Sequence, residues 1–285
     1  MNTEYAIDHY ENFPVASILL PRKMRRPISI VYKFARSADD FADEGVASDE
    51  DRLAQLQAYR DELQRISNGT PPETALFRDL QHEVIEAYQV PVQLFIDLLD
   101  AFSQDVVKKR YADFGELMQY CRRSANPVGR IVLHIAGQAE PRKLAQSDGI
   151  CAALQLINFW QDIAIDLQKG RIYLPQDELA RFGVSEAQLF AGDTSGGFWP
   201  LMQFQIERTK KMLEAGSPLA LTLPGRLGWE IRLTVLGGDT ILRKLHASHG
   251  DVWRHRPALR PRDWLNIVWR SVRGPEKRRH HTCGH

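Results

Sequence analysis

The sequence predicts an all-α fold on three observations. Long segments repeat apolar residues at helical spacing, alternating strand patterns are nearly absent, and two segments set acidic side chains along one face of an otherwise oily helix. In chain order the predicted helices run Pro27–Gly45, Ser48–Ser67, Thr74–Tyr88, Val92–Lys108, Phe114–Gly137, Arg142–Gln168, Phe198–Ala215, Arg226–His246 and Pro261–Val272. Polar breaks such as Ser67-Asn-Gly-Thr-Pro-Pro72 and Gly192-Asp-Thr-Ser-Gly-Gly197 separate them. No internal repeat, low-complexity tract or linker interrupts the pattern. The expected organisation is one all-α domain over residues 1–273 and a basic, disordered tail over 274–285.

The first predicted helix holds Arg36-Ser-Ala-Asp39-Asp40-Phe-Ala-Asp43-Glu44. On a helical wheel Arg36, Asp39, Asp40 and Asp43 share one face, with Val31, Phe34, Ala35, Ala38, Phe41 and Ala42 opposite. Like charges three and four residues apart destabilise a helix by about 0.2–0.5 kcal/mol per pair, so the cluster asks for a compensating cation. A solvated acidic face is the plain alternative.

The helix Arg142–Gln168 holds the second stripe. At about 100° per residue, Asn158, Asp162 and Asp166 fall within about 80° of arc, and Gln155 joins them. Leu154, Leu156, Ile157, Phe159, Trp160 and Ile163 fill the remaining circumference. A helix apolar nearly all round is buried, and carboxylates on it must face a cation or a wet cavity. Neither stripe contains Cys or His, so the donor set suits a hard ion, Mg²⁺, rather than zinc or copper. Magnesium held by few carboxylates completes its shell with water and substrate phosphates, and the expected ligand is a diphosphate ester. Arg36, Lys169 and Arg171 are the nearby cations, although an Arg just past a helix end also caps carbonyls.

Composition narrows the classes. With 285 residues, 44% hydrophobic and 26% charged, the chain has a globular composition, and its net charge of +1 gives no reason to expect nucleic acid as a partner. Cys121, Cys151 and Cys283 are too few and scattered for a disulfide framework, favouring a reducing compartment. Asp8, His9, Glu11 and Asn12 interrupt any signal-like run, and the expected location is cytoplasmic. There is no Glu-x-x-His pair for a di-iron bundle and no P-loop. The terminal His280-His-Thr-Cys283-Gly-His285 is read as a short tail rather than a metal site, and His246, His249, His255, Arg254 and Arg256 as surface or capping residues.

These blocks resemble the squalene and phytoene synthases, all-α enzymes that join or process isoprenoid diphosphates. The likeness rests on Arg36 to Asp43, on Tyr120-Cys-Arg-Arg-Ser-Ala-Asn-Pro-Val-Gly129, and on Asn158 to Asp166 with the trailing Gly170-Arg-Ile-Tyr-Leu-Pro175. Glu11-Asn-Phe-Pro-Val-Ala-Ser17, Leu19-Leu-Pro21, Asn158-Phe-Trp-Gln161 and Arg232-Leu-Thr-Val-Leu-Gly-Gly238 are most similar to the hydroxysqualene synthase branch of hopanoid biosynthesis. The resemblance implies an isoprenoid synthase bundle with a central cavity between two Asp-rich helices. It also implies Mg²⁺-dependent conversion of presqualene diphosphate and water to hydroxysqualene and diphosphate. Enzymes acting before and after it in the pathway are implied partners.

The implied catalytic residues are Asp39, Asp43, Asp162, Asp166 and Tyr120, with Asp39, Asp43, Asn158, Asp162 and Asp166 holding metal. Arg36, Asp40, Gln155, Asn158, Gln161, Arg171 and Phe13 are the implied substrate contacts. Tyr120, Asn126 and Gln161 are the polar residues available to position water. Phe13, Tyr120, Phe159 and Trp160 are candidate walls for a carbocation, whose charge aromatic faces favour, though such residues also serve as plain core.

Two departures bear on the reaction. Gln161 and Ile165 stand where condensing relatives commonly carry Arg and Glu, which fits a site for one diphosphate rather than two. No dinucleotide-binding motif is present, and no NADPH is expected for the water-quench reading. Head-to-head condensation of two prenyl diphosphates is the alternative. A non-catalytic assembly factor that kept the fold is another, disfavoured by retention of Asp39, Asp43, Asp162 and Asp166.

Trp264, Ile267, Val268 and Val272 form an apolar stripe in the last helix, and Arg270, Arg273, Lys277, Arg278 and Arg279 follow it. The pattern suits either packing on the protein or peripheral contact at the inner face of the membrane.

Overall fold

The computed structural model describes residues 20–43 and 47–273, with Asp43 and Arg273 placed by backbone alone. Phe13 and the tail 274–285 lie outside the described residues. Helices account for the architecture and no strand occurs among the described residues. They are α1 (Arg22–Asp43), α2 (Asp49–Ser67), α3 (Ala75–Leu80), a π-helical turn over Gln81–Glu86, α4 (Gln93–Val107), α5 (Phe114–Ser124), α6 (Asn126–Ile135) and α7 (Pro141–Gln168). After these come α8 (Gln176–Phe182), α9 (Glu186–Phe190), α10 (Phe198–Gly216), α11 (Leu219–Thr222), α12 (Gly225–Ala247) and α13 (Pro261–Arg273).

Differences from the sequence reading have local causes. α1 begins at Arg22, before Pro27, which therefore lies inside the helix. Proline has no amide for the Lys23 carbonyl four residues back, and the Tyr88 hydroxyl lies 3.5 Å from that oxygen instead. The predicted helix Phe114–Gly137 is two helices, α5 and α6, separated at Ala125. Pro127 removes a donor and disfavours helical backbone just before it. α8, α9 and α11 are new, each too short to show several helical periods.

α1 packs on α2, α3, α4 and α6, while α7 packs on α5, α6, α10 and α12, so α4, α5 and α6 join the two acid-bearing helices. Around α1, Phe34, Phe77 and Phe95 are fully buried, and Phe34 meets both of the others edge-on at 5.8 and 5.4 Å. Each such ring contributes about 1.5–3 kcal/mol of burial. Around α7, Trp160 is fully buried and satisfies its indole N–H by donating to Thr209 Oγ1 of α10 at 2.9 Å. By length and composition α7 is apolar enough to cross a membrane, yet 56% of its most apolar window is buried in the protein. That apolarity is spent on packing.

Two glycines show how close α7 and α10 run. A Cβ on Gly216 would lie 2.6 Å from the Gln146 carbonyl oxygen and 2.9 Å from the Ile150 nitrogen, both backbone atoms of α7. A Cβ on Gly149 would meet backbone no nearer than 3.6 Å, ordinary contact. Gly216→Ala is therefore expected to cost about 1–3 kcal/mol or more by overpacking. Gly149→Ala is expected to be neutral or to stabilise by up to about 1 kcal/mol through helix propensity. Denaturant melts of the two variants, read by circular dichroism, check the contrast.

Candidate functional site

The two acidic faces are each held by an arginine. On α1, Phe34 and Ala38 are buried and turn Arg36, Asp39 and Asp40 the other way, each still partly exposed. Arg36 reaches Asp39 Oδ2 at 3.4 Å and Asp40 Oδ1 at 2.7 Å. The side chain of Asp43 lies outside the described residues.

On α7 the buried residues Leu156, Ile157, Phe159, Trp160 and Ile163 fix the helix rotation. Asn158 is then exposed, while Gln155, Asp162 and Asp166 are half-buried. Asp162 is clasped by Arg256, from the segment between α12 and α13. Arg256 Nε donates to Asp162 Oδ1, and Nη2 donates to Oδ2 at 3.1 Å. This bidentate fork is the strong form of the ion pair. Arg256 is thus part of the acidic site rather than a surface residue. The neighbouring Gln161 is buried and donates through Nε2 to the Pro257 carbonyl, so consecutive α7 side chains hold consecutive residues of that segment.

Beyond α7 the chain turns back along the segment that joins α4 to α5. Ile172 N–H donates to the Lys109 carbonyl at 3.0 Å, Gln176 N–H to Tyr111 at 2.9 Å and Asp177 N–H to Ala112 at 3.1 Å. These bonds place Tyr173 flat on Phe159, with ring centroids 3.8 Å apart and planes 7° from parallel. Tyr111 stacks on Tyr173 at 5.6 Å, and Tyr120 lies 6.0 Å from Phe159. Phe159, Ile163, Asp166, Arg171 and Tyr173 line one hollow of about 10 Å³, room for about one water.

A carboxylate that sequence reasoning missed organises this wall. Tyr120 is buried on α5, and its hydroxyl donates to Asp105 Oδ2 of α4 at 2.7 Å. Arg171 Nη2 donates to the Asp105 carbonyl at 3.1 Å, and Lys109 Nζ to the same oxygen at 2.8 Å. Asp105 is one more acid on an amphipathic helix, and only the fold brings it to the tyrosines. Burial, followed by the negative charge of Asp105, pushes the phenols of Tyr111, Tyr120 and Tyr173 above their ordinary range. Asn126 is buried at the start of α6, and its Oδ1 accepts no hydrogen bond among the described residues.

Among the described residues no three His, Cys, Asp or Glu side chains converge as a ready-made metal cage. The donor chemistry nevertheless fits a hard cation, since Asp39, Asp40, Asn158, Asp162 and Asp166 present only oxygen ligands in two stripes. An ion there would take its remaining ligands from water and substrate oxygens, as magnesium does. The thiols are no competitors. Burial pushes Cys121 up to about 12 and Cys151 up to about 11, so both stay protonated at neutral pH.

The sequence profile of the squalene/phytoene synthase family matches residues 7–263. The chain belongs to this family. A hydroxysqualene synthase from Rhodopseudomonas palustris is 35% identical over 258 residues, 90% of this chain and 85% of that one. Phytoene synthase 2 from Solanum lycopersicum is 28% identical, covering 93% of this chain and 86% of its own. Among solved structures, squalene synthase HpnC from Alicyclobacillus acidocaldarius superposes with a TM-score of 0.78 at 36% identity, over 85% of this chain and 90% of that one. The helical arrangement described above is thus the fold of squalene/phytoene synthases, as the sequence resemblance implied.

The tyrosine wall predicts an alkaline limit. These phenols are raised in the fold, so they stay protonated where the unfolded chain begins to ionise, at pH about 10. Above that pH the unfolded state binds fewer protons than the folded one, and stability falls as pH rises. Equilibrium unfolding between neutral pH and pH about 11 is expected to show that fall, and a shallower one in Tyr120→Phe.

Proposed function

We propose that the chain is a Mg²⁺-dependent enzyme that converts presqualene diphosphate and water to hydroxysqualene and diphosphate. The observation that carries this reading is the junction of charge and aromatic wall. Asp166 and Arg171 line the same hollow as Phe159 and Tyr173, and Asp162 lies one turn back along α7. Ionising an allylic or cyclopropylcarbinyl diphosphate needs those two environments side by side. Cations at one end stabilise the departing oxygens, and apolar aromatic faces at the other hold a carbocation without supplying a nucleophile.

Bound magnesium would neutralise charge building on the diphosphate, with Asp39, Asp43, Asn158, Asp162 and Asp166 as its holders. Arg36, Asp40 and Gln155 border these stripes, and Arg171 stands between the acids and the tyrosines. Tyr120, pinned by Asp105, and Asn126, with its unused buried oxygen, are the groups suited to orient the quenching water. The water supplies the hydroxyl of the product and releases one proton.

Support for the water quench over other family reactions comes from position 161. A neutral, buried Gln161 is bonded to Pro257, while the Asp162 carboxylate draws its positive partner from Arg256. Position 161 thus brings no cation of its own to the site, which suits a single diphosphate. Three hydroxysqualene synthases at 33–37% identity point the same way. Head-to-head condensation is the second reading, favoured by phytoene synthase relatives at 28–32% identity.

Purified protein given presqualene diphosphate and magnesium is expected to yield hydroxysqualene with or without NADPH. Presqualene diphosphate or phytoene formed from two prenyl diphosphates, with no hydroxysqualene, would establish the second reading instead. Chelation with EDTA is expected to abolish turnover and magnesium to restore it. Asp162→Asn is expected to cut turnover by several powers of ten, since each 1.36 kcal/mol of lost transition-state stabilisation is about tenfold. Its fold is expected to survive the weakened Arg256 pair, at about 1–3 kcal/mol. Undiminished turnover in that variant would remove Asp162 from the site.

A further inference from the structure

α13 presents an apolar face to solvent, and it shares only Val268 and Val272 with the stripe that the sequence predicts. Ile267 is fully buried and Trp264 half-buried against the protein, whereas Leu265, Val268, Trp269 and Val272 are 74%, 41%, 54% and 75% exposed. Their spacing of three, four and seven residues draws one continuous stripe along the helix. Isolated exposed apolar residues are ordinary, but four in a row on one helix mark a docking surface.

The stripe cannot roll inward, because polar contacts fix the rotation of α13 on α12. Ser271 is buried, accepting at Oγ from Trp229 Nε1 at 2.9 Å and at its carbonyl from Arg232 Nη1 at 2.8 Å. Arg270 pairs with Asp239 at 2.8 Å, and Asp263 pairs with Lys244. The last pair also turns the single acid of α13 towards the protein. The charged side chains left exposed at the start of this face are Arg260 and Arg262, both positive. In the sequence beyond the helix follow Lys277, Arg278 and Arg279 against one acid, Glu276.

We propose that α13 is an interfacial helix, which seats Leu265, Val268, Trp269 and Val272 among the acyl chains of an anionic phospholipid surface. Arg260 and Arg262 lie at the headgroups. Apolar area drives insertion, a tryptophan belongs at the boundary, and each basic residue near an anionic leaflet adds attraction. Charge complementarity selects this occupant over a second copy of the chain, whose α13 would bring arginines against arginines. The proposal is independent of which reaction the enzyme performs.

Flotation of the full chain with vesicles tests it. Binding is expected to phosphatidylcholine vesicles containing phosphatidylglycerol, to weaken with salt, and to be slight on phosphatidylcholine alone. The double substitution Leu265→Asp and Val272→Asp, at exposed positions, is expected to leave the thermal melt unchanged while lowering vesicle affinity by about tenfold or more. Arg260→Glu with Arg262→Glu is expected to weaken binding chiefly at low salt. Lipids brominated in the acyl chain are expected to quench wild-type fluorescence more than that of Trp269→Phe. No vesicle binding by the wild type, or equal binding by the double-aspartate variant, would overturn the proposal. So would a shift from dimer to monomer on that double substitution in lipid-free solution with vesicle binding untouched.

Discussion

Placing carboxylates on a helix that is otherwise buried is the constraint around which this molecule is arranged. α7 packs its apolar circumference into α5, α6, α10 and α12, and Asp162 and Asp166 remain as charges that packing cannot satisfy. Water alone is a poor remedy for a group as enclosed as Asp162, whose side chain is 13% exposed. Arg256 answers it from nearly a hundred residues away in the sequence, with both arms of its guanidinium. The path of the chain between α12 and α13 follows from that need. α1 solves the lesser problem of an exposed acidic face locally, with Arg36 one turn before its acids.

The same economy explains the wall beside the acids. Tyr111, Tyr120 and Tyr173 are large and apolar apart from one hydroxyl, and burying them requires a partner for the polar end. Asp105 accepts a hydrogen bond from the Tyr120 hydroxyl, and Gln104 donates to the Tyr111 oxygen at 3.3 Å. Tyr173 is stacked between Phe159 and Tyr111, and Tyr120 is tilted against all three rings.

What was legible in the sequence was whatever a helix states locally. The periodicity of α7 gave both its burial and its acidic stripe, and Pro127 was visible as the reason that α5 and α6 separate, even though the reading ran them together. Partners distant along the chain were not legible. Asp105 and Arg256 look like ordinary solvated charges until α4 meets α5 and the α12–α13 segment meets α7. The phase of α13 was lost for a related reason. Its wheel carries one broad apolar arc, and the contacts of Asp263, Arg270 and Ser271 with α12 decide which part of it turns inward.

The paired anchoring of Gln161 on Pro257 and Asp162 on Arg256 has an evolutionary corollary. Because adjacent side chains grip adjacent residues, a replacement at 161 disturbs the backbone that delivers the guanidinium to 162. A lineage exchanging that glutamine for a side chain that cannot donate to the Pro257 carbonyl would have to re-thread the gripping segment as well. Changes at these four positions are therefore expected to be inherited as a block, with few viable intermediates between one arrangement and the other.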